Sequence, residues 1–446
     1  MLRVIENWSG SVRFRPGTYA QPASVDELCA LVREAAAAKQ SVRVIGAGHS
    51  FTPLVQTDGV LVSLDALTGI ESIDEATREA TVMAGTRLYD LGPALARRGY
   101  AMENLGDINR QSIAGAVSTG THGTGVDLGV ISSQVTGFEL VTADGERRWV
   151  DEPSDPELFA AGRVSLGALG ILSRIRLRLV PLYNMRLTRS VLPLDDCLAN
   201  VPELTGSARS FEFYWFPYSG RVATKAWNPT PDPPSRSKSA RFVNDIVLEN
   251  LLFGTICAVV GRIPALVPRA ARAVVSLSGS GAIVDESHAI LSTPRYVRFN
   301  EMEYALPADR AADAFREFTA ALEAARLPIF FPVEYRWVKA DDIWLSPAYG
   351  RDTVTISCHQ TRGYAYDTYF SLAENIFRKY GGRPHWGKIH SLRAPALAGL
   401  YPRWSDFTAL RRRLDPEGRF STPYLDALFG AERPSMAGAE VARSAR

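Results

Sequence analysis

Two glycine-rich turns and one late basic segment constrain this chain most. SVRVIGAGHSF (41–51) reads as a strand running into a glycine turn that carries His49. SIAGAVSTGTHGTG (112–125) is a second loop of glycine and small hydroxyl residues, and HWGK (385–388) stands near the other end. Glycine lets backbone approach a bulky group closely, and the exposed N–H groups of such loops can satisfy phosphate charge. Two such loops and a distal cation describe a site assembled from distant segments.

The familiar phosphate motifs do not fit. A dinucleotide turn needs G-x-G-x-x-G opening a helix. Gly46 and Gly48 supply two glycines, but Phe51 stands at the third place and Thr52-Pro53 discourages a helix. Asp65 stands where a ribose-binding acid would be wanted, yet the intervening span is too short for the crossover helix of a unit of about 30 residues. The second loop lacks the G-K-[ST] triplet of a P-loop. A neutral imidazole at His49 is a competent nucleophile if a cofactor lies beside it; taken alone, a turn histidine is ordinary structure.

A chain of 446 residues is expected to hold two or three domains. With 46% hydrophobic and 22% charged residues it can bury a large core, and a formal charge of +2 excludes a global nucleic-acid footprint. Cys29, Cys197, Cys257 and Cys358 are scattered without a CxxC pair, so no metal site is expected, and their usage suits a reducing, cytoplasmic setting. Cys29 is expected to be core packing. The N-terminus lacks an apolar signal core. The most apolar run, LLFGTICAVV (251–260), falls well short of the roughly 20 residues that span a bilayer. It is expected to be a buried helix, and no stable membrane insertion follows.

Ser24 and Glu27 form a capping box opening a helix over 24–39, with Val25, Leu28, Leu31 and Val32 on one face. Strands are expected at 42–45, 59–67 and 79–84, and a helix at 86–98 that Pro93 breaks or restarts. A hairpin over 134–150 turns at Asp144-Gly145, and 174–182 alternates as a strand. Residues 1 to about 185 therefore form an α+β or α/β module. Beyond it, 210–230 and 291–306 read as strand-rich, 243–278 as helical and 231–235 as a proline-marked loop. A helix over 308–326, strands over 329–338 and 353–359 and a helix over 366–380 precede HWGK; the small, polar residues 431–446 are expected to be disordered.

Strand alternation puts Glu334 and Arg336 on one face, as an ion pair or as a site in which Arg336 steadies an anion and Glu334 holds a hydroxyl. Lys388 is a solvated lysine or an active-site cation. Residues 166–171, with Gly170 and Ile171, bring backbone near a planar ring or simply pack.

GAGHSF (46–51), ENLGDINRQSIAGAVSTGTHGTG (103–125), GRVSLGALGIL (162–172), FYWFPY (213–218) and HWGK together resemble the aldonolactone and alditol oxidoreductases of the vanillyl-alcohol-oxidase flavoprotein superfamily. The resemblance runs from about residue 8 to 425. It implies an α+β fold: a two-lobed, PCMH-type FAD-binding domain (8–183), an α+β cap with a large antiparallel sheet (184–375) and a segment returning to the FAD domain (376–430). It implies FAD bonded covalently to His49, and no double linkage, since the second loop has no cysteine. Cofactor contacts would come from Gly46, Ala47, Gly48, His49 and Ser50, from Gly106 and Asp107, and from Ser112, Gly115, Ser118, Thr119, Gly120, His122 and Gly123. Gly170, Ile171 and His385 complete that set. Glu334, Arg336 and Lys388 match catalytic positions; Ser112 and His359 are expected beside the substrate. Asn109 departs from the acidic residue of many relatives. The implied activity oxidises a sugar lactone or polyol, with oxygen or another acceptor as partner. The alternatives are a tailoring oxidase of a specialised metabolite, which cap aromatics Tyr214, Trp215, Phe216, Trp337 and Trp344 would favour, and a non-catalytic protein of the same fold.

Overall fold

Helix Val25–Ala37 shows how pattern becomes structure. The Ser24 hydroxyl accepts the Glu27 N–H at 3.1 Å, and the Glu27 carboxylate reaches back to the Ala23 N–H at 2.8 Å. Its apolar face, Val25, Leu28, Cys29, Val32 and Ala35, is buried. At the other end Arg419 donates to the carbonyls of Ala35, Ala36 and Gln40, a cation satisfying a helix C-terminus. The computed structural model describes residues 3–235, 253–277, 279, 281–293 and 295–430. The expectation for 431–446 lies outside these.

Three sheets organise the described chain. Strand Val60–Ser63, buried throughout, runs parallel to Thr18–Ala20 on one side and Val42–Ile45 on the other. An antiparallel five-stranded sheet is ordered Arg147–Val150, Val135–Val141, Ile171–Arg178, Glu79–Met83, Ile70–Asp74. The third has eight antiparallel strands: Gly281–Glu286, Asn184–Pro193, Arg221–Thr230, Ser210–Trp215, Val333–Val338, Thr353–Thr361, Phe299–Pro307 and Arg383–Pro384.

Period-two alternation divides the large sheet by chemistry. On one face Phe213, Trp215 and Tyr335 pack edge-on against Phe315 of helix Ala311–Ala324. The residues between them, Glu212, Tyr214, Glu334 and Arg336, take the opposite face. Register continues that face: Tyr214 opposes Glu334, which opposes Ser357, which opposes Glu303, and His359 opposes Glu301. Of the cap aromatics only Tyr214 lies on this face; Trp215, Phe216, Trp337 and Trp344 are buried packing.

The structure corrects some sequence expectations. Helix Leu88–Ala96 runs through Pro93 unbroken. Proline forgoes one backbone bond, but Leu88, Leu91 and Leu95 are buried and hold the helix in place. The last strand of the first region begins at Ile171 rather than 174, and strands expected from 291 and 329 begin at Phe299 and Val333. Pro332, which cannot donate to a ladder, precedes the latter. Helices Phe253–Arg262 and Val267–Leu277 occupy the expected helical stretch, with Cys257 and Val260 buried. No helix among the described residues is long and apolar enough to cross a membrane.

The second glycine loop crosses tightly under residue 105. A Cβ on Gly123 would stand 2.3 Å from the Leu105 carbonyl oxygen, whereas one on Gly206 would meet nothing within 4 Å. Gly123→Ala is expected to cost about 2 kcal/mol and to lower the thermal midpoint by several degrees. Gly206→Ala is expected to be neutral or stabilising by up to ~1 kcal/mol. Equal melting of the two variants would contradict the crossing.

Candidate active site

Two clefts meet at the His49 turn. The first encloses about 1160 Å³ and is walled by Gly46–Ser50, Ser112, Gly115, Ser118, Thr119, Gly170 and Ile171. The second encloses about 1110 Å³ and is walled by Gly106, Asp107, His122, Glu334, Arg336, His359, His385 and Lys388. His49, Ser50, Gln111 and Thr119 line both. Ser112, expected beside the substrate, stands in the first cleft, where its hydroxyl accepts the Gly115 N–H at 3.3 Å and caps helix Ile113–Thr119. Gly120 ends that helix and Gly123 makes the crossing; neither lines these two clefts.

The first cleft is suited to a long, flat, phosphate-bearing group. A Cβ on Gly46 would lie 2.5 Å from the Ser112 hydroxyl, so only glycine lets the two loops meet without displacing the cap. Buried Arg43 stitches the floor, donating to the carbonyls of Leu166, Gly167 and Phe420 at 2.7–2.9 Å.

The His49 imidazole stacks on Trp8, ring centres 5.4 Å apart and planes 30° off parallel. Neither ring nitrogen has a hydrogen-bond partner among the described residues. Burial, then the charges of Lys388, Arg87 and Arg110, bring its pKa down to about 4. At neutral pH His49 is therefore uncharged, with a nitrogen lone pair free to bond.

The second cleft is lined by ionisable groups in mutual contact. Arg336 binds Glu334 at 2.9 Å, Glu212 at 2.7 Å and the Tyr214 hydroxyl at 3.2 Å. Asp107 takes two bonds from Arg295, at 2.6 and 3.0 Å. Lys388 pairs with Glu301, whose other oxygen lies 3.6 Å from His359 Nε2. His359 donates Nδ1–H to the Pro332 carbonyl at 3.0 Å, which leaves Nε2 facing Glu301 and, at 4.0 Å, Glu334. Burial opposes charge on Glu301, yet Lys388 and His359 hold its pKa near 2. Burial prevails at Glu334, whose carboxyl is pushed up. At His359 burial is outweighed by Glu301, and the pKa is raised.

His122 is engaged at both ring nitrogens. Its Nδ1 faces the Gly123 carbonyl at 2.9 Å, which only accepts, and its Nε2 faces Glu303 at 2.6 Å. Burial disfavours the Glu303 charge, but neighbouring His122 and His385 hold its pKa well below the usual carboxylate range. Ligand atoms of His122, Glu303 and His385 lie within 4.8 Å of one another. The set reads as a hydrogen-bonded relay rather than a metal triad. Both ring nitrogens of His122 are already engaged, Glu303 also accepts from Ser357 at 2.8 Å, and His385 Nδ1 accepts the Gly387 N–H at 3.0 Å.

Glu212, Glu301, Glu303 and Arg295 were not among the residues singled out from sequence. The signal was present in FNEMEYALP (299–307), where two carboxylates alternate with apolar residues in a strand too apolar to face water.

A glycine-walled cleft beside an ionisable cavity, with a neutral histidine between them, defines an FAD-linked oxidoreductase. Family models agree: D-arabinono-1,4-lactone oxidase matches residues 175–428 and an FAD binding domain matches 16–151. The chain is 37% identical over 430 residues to the L-gulono-1,4-lactone dehydrogenase of Mycobacterium tuberculosis, covering 96% of this chain and 100% of that protein. It is 32% identical over 431 residues to the L-gulonolactone oxidase of Bos taurus, covering 95% and 98%. A cholesterol oxidase from B. sterolicum shares the fold, with a TM-score of 0.84 at 17% identity over 96% of this chain and 97% of that one. The chain belongs to the D-arabinono-1,4-lactone oxidase family.

Buried neutral histidines make the protein acid-sensitive. Burial lowers His385 and His390, like His49, to about 4. Groups that bind protons more readily unfolded than folded favour unfolding as pH falls from about 6.5 toward 4. His385 and His390 are each expected to remove up to about 3 kcal/mol across that window. Glu301 adds a further loss between about 4.5 and 2. Thermal melts from pH 7.5 to 4 should fall steeply below 6.5; a flat profile down to pH 4.5 would refute the neutral assignments.

Proposed function

We propose that this enzyme oxidises a CH–OH group of a sugar-1,4-lactone or an alditol, using FAD joined covalently to His49. The carrying observation is the shared wall at His49, with a backbone cradle on one side and a charged, hydroxyl-binding cavity on the other. The relatives' lactone activities support the substrate class. The same reading makes 8–183 the FAD-binding domain, 184–375 the cap and 376–430 the returning segment, and takes dioxygen or another redox acceptor as co-substrate. Four buried cysteine thiols support a cytoplasmic setting.

FAD, when bound, supplies the acceptor for a hydride from the carbinol carbon. Gly46–Ser50, Ser112, Gly115, Ser118, Thr119, Gly170 and Ile171 would hold it in the first cleft. In the second, Glu334 binds a substrate hydroxyl and Arg336 fixes the orientation of Glu334. His359 Nε2 takes the hydroxyl proton, its ring held by the Pro332 carbonyl. Lys388 and Arg336 stabilise negative charge as it develops. His49 would hold the flavin covalently, its uncharged ring offering a nitrogen lone pair for the bond.

Two measurements test this reading. Acid-precipitated wild-type protein is expected to stay yellow, whereas His49→Ala should release its flavin; mixing the holoenzyme anaerobically with sugar-1,4-lactones and alditols should bleach the flavin band. Flavin freed from the wild type defeats the linkage, and no bleaching by either compound class defeats the substrate assignment. The proton acceptor has its own signature. Because a base works deprotonated and Glu301 raises the pKa of His359, kcat/KM should climb with pH through a midpoint above 6.5. His359→Gln should lose that limb and lower the plateau by roughly 100-fold; an unchanged pH profile would remove His359 from this role.

A further inference from the structure

The loop between strands Ile5–Glu6 and Arg13–Phe14 grips the His49 turn at three backbone carbonyls. The Trp8 N–H donates to the Gly48 carbonyl at 2.7 Å, Asn7 Nδ2 to the Ser50 carbonyl at 2.9 Å and the Ser11 hydroxyl to the Phe51 carbonyl at 3.4 Å. Asn7 is itself fixed, its Oδ1 accepting the Val12 N–H at 3.0 Å. The turn's backbone is thus held from one side by the N-terminal loop. From the other, the Phe51 N–H donates to the Gly387 carbonyl at 2.7 Å.

What remains to be fixed is the imidazole. Among the described residues no hydrogen bond sets the rotation of the His49 ring, so packing must choose among its staggered rotamers. The Trp8 indole supplies the missing constraint. It lies against the His49 face at 5.4 Å and 30°. It is in turn wedged edge-on against Phe299 at 5.0 Å and Phe51 at 6.3 Å. A stacked aromatic restricts an imidazole to one plane without taking either nitrogen, which a hydrogen bond would do.

We propose that Trp8 is the positioning residue for flavin attachment: its indole face fixes the plane of His49 while leaving the reactive nitrogen free. The inference rests on the covalent reading above. Trp8 does not touch the reacting carbon in this account; its effect passes through His49. Holding a nucleophile in one orientation accelerates bond formation without altering equilibrium affinity for the partner.

The test uses the holoprotein expressed with its own flavin. Wild type, Trp8→Ala and Trp8→Phe are acid-precipitated, and bound and released flavin are measured against total flavin before precipitation. Trp8→Ala is expected to keep near-normal total flavin while its covalent fraction drops at least fivefold, and Trp8→Phe, which retains a flat face, to restore most of it. The His49 ring resonances of Trp8→Ala apoprotein are expected to broaden or multiply relative to wild type. If Trp8→Ala does not fold, Trp8→Leu keeps apolar bulk without the flat face and carries the same comparison. A fully covalent Trp8→Ala beside a fully covalent wild type overturns the role of Trp8 alone, and a wild type that releases its flavin overturns both readings.

Discussion

The closure of both chain ends on the turn at residues 48–51 is the constraint on which the rest depends. Residues 7–11 take the carbonyls of Gly48, Ser50 and Phe51, Gly387 takes the Phe51 N–H, and the Arg419 carbonyl takes the N–H of Val42 at the start of the strand leading into the turn. Each is a modest interaction, worth about 1 kcal/mol net. Together they join segments more than 330 residues apart in sequence, so they repay their loop-closure entropy only once the large sheet and the FAD-binding lobe have both formed. The site is a property of the whole chain, and no excised lobe contains it.

That closure places a dense set of charges in a dry place. The inner face of the large sheet carries Glu212, Arg336, Glu334, Glu303 and Glu301, all buried. An isolated charge there would be prohibitive, and each group survives because its neighbour neutralises it. Arg336 serves three acidic or phenolic partners, while Glu301 divides its oxygens between Lys388 and His359. Apolar residues of equal volume would give a more stable sheet. Local cost concentrated on one face of one sheet is the signature of a functional surface.

Local signals were legible in the sequence. The capping box at Ser24 and Glu27, the Asp144-Gly145 hairpin and the pairing of Glu334 with Arg336 all follow from short-range rules and appear in the structure. The helix through Pro93 did not, because burial of Leu88, Leu91 and Leu95 outweighs a lost backbone bond. Glu301 and Glu303 escaped notice for a different reason. Their importance lies in cross-strand register with His359 and Ser357, and no periodicity within one strand reveals which strand will lie beside it. Trp8 and Ser112 show the same limit. The first was not singled out in the sequence, and only the fold sets it on His49 and Ser112 at the head of a short helix.

The two histidines on either side of the junction show how partners decide chemical state. His49 faces an aromatic plane and a field of cations, so the uncharged ring is favoured and a lone pair is available. His122 faces a carbonyl and a carboxylate, so both of its ring nitrogens are engaged. Their surroundings set their capacities: among the described residues the His49 ring keeps its nitrogens unengaged, whereas His122 commits both of its nitrogens to fixed partners. The glycine-rich cleft therefore receives an uncharged ring and the charged cavity a ring bonded at both nitrogens, from the same residue type. The sorting is accomplished by which backbone and side-chain groups the fold turns toward each ring.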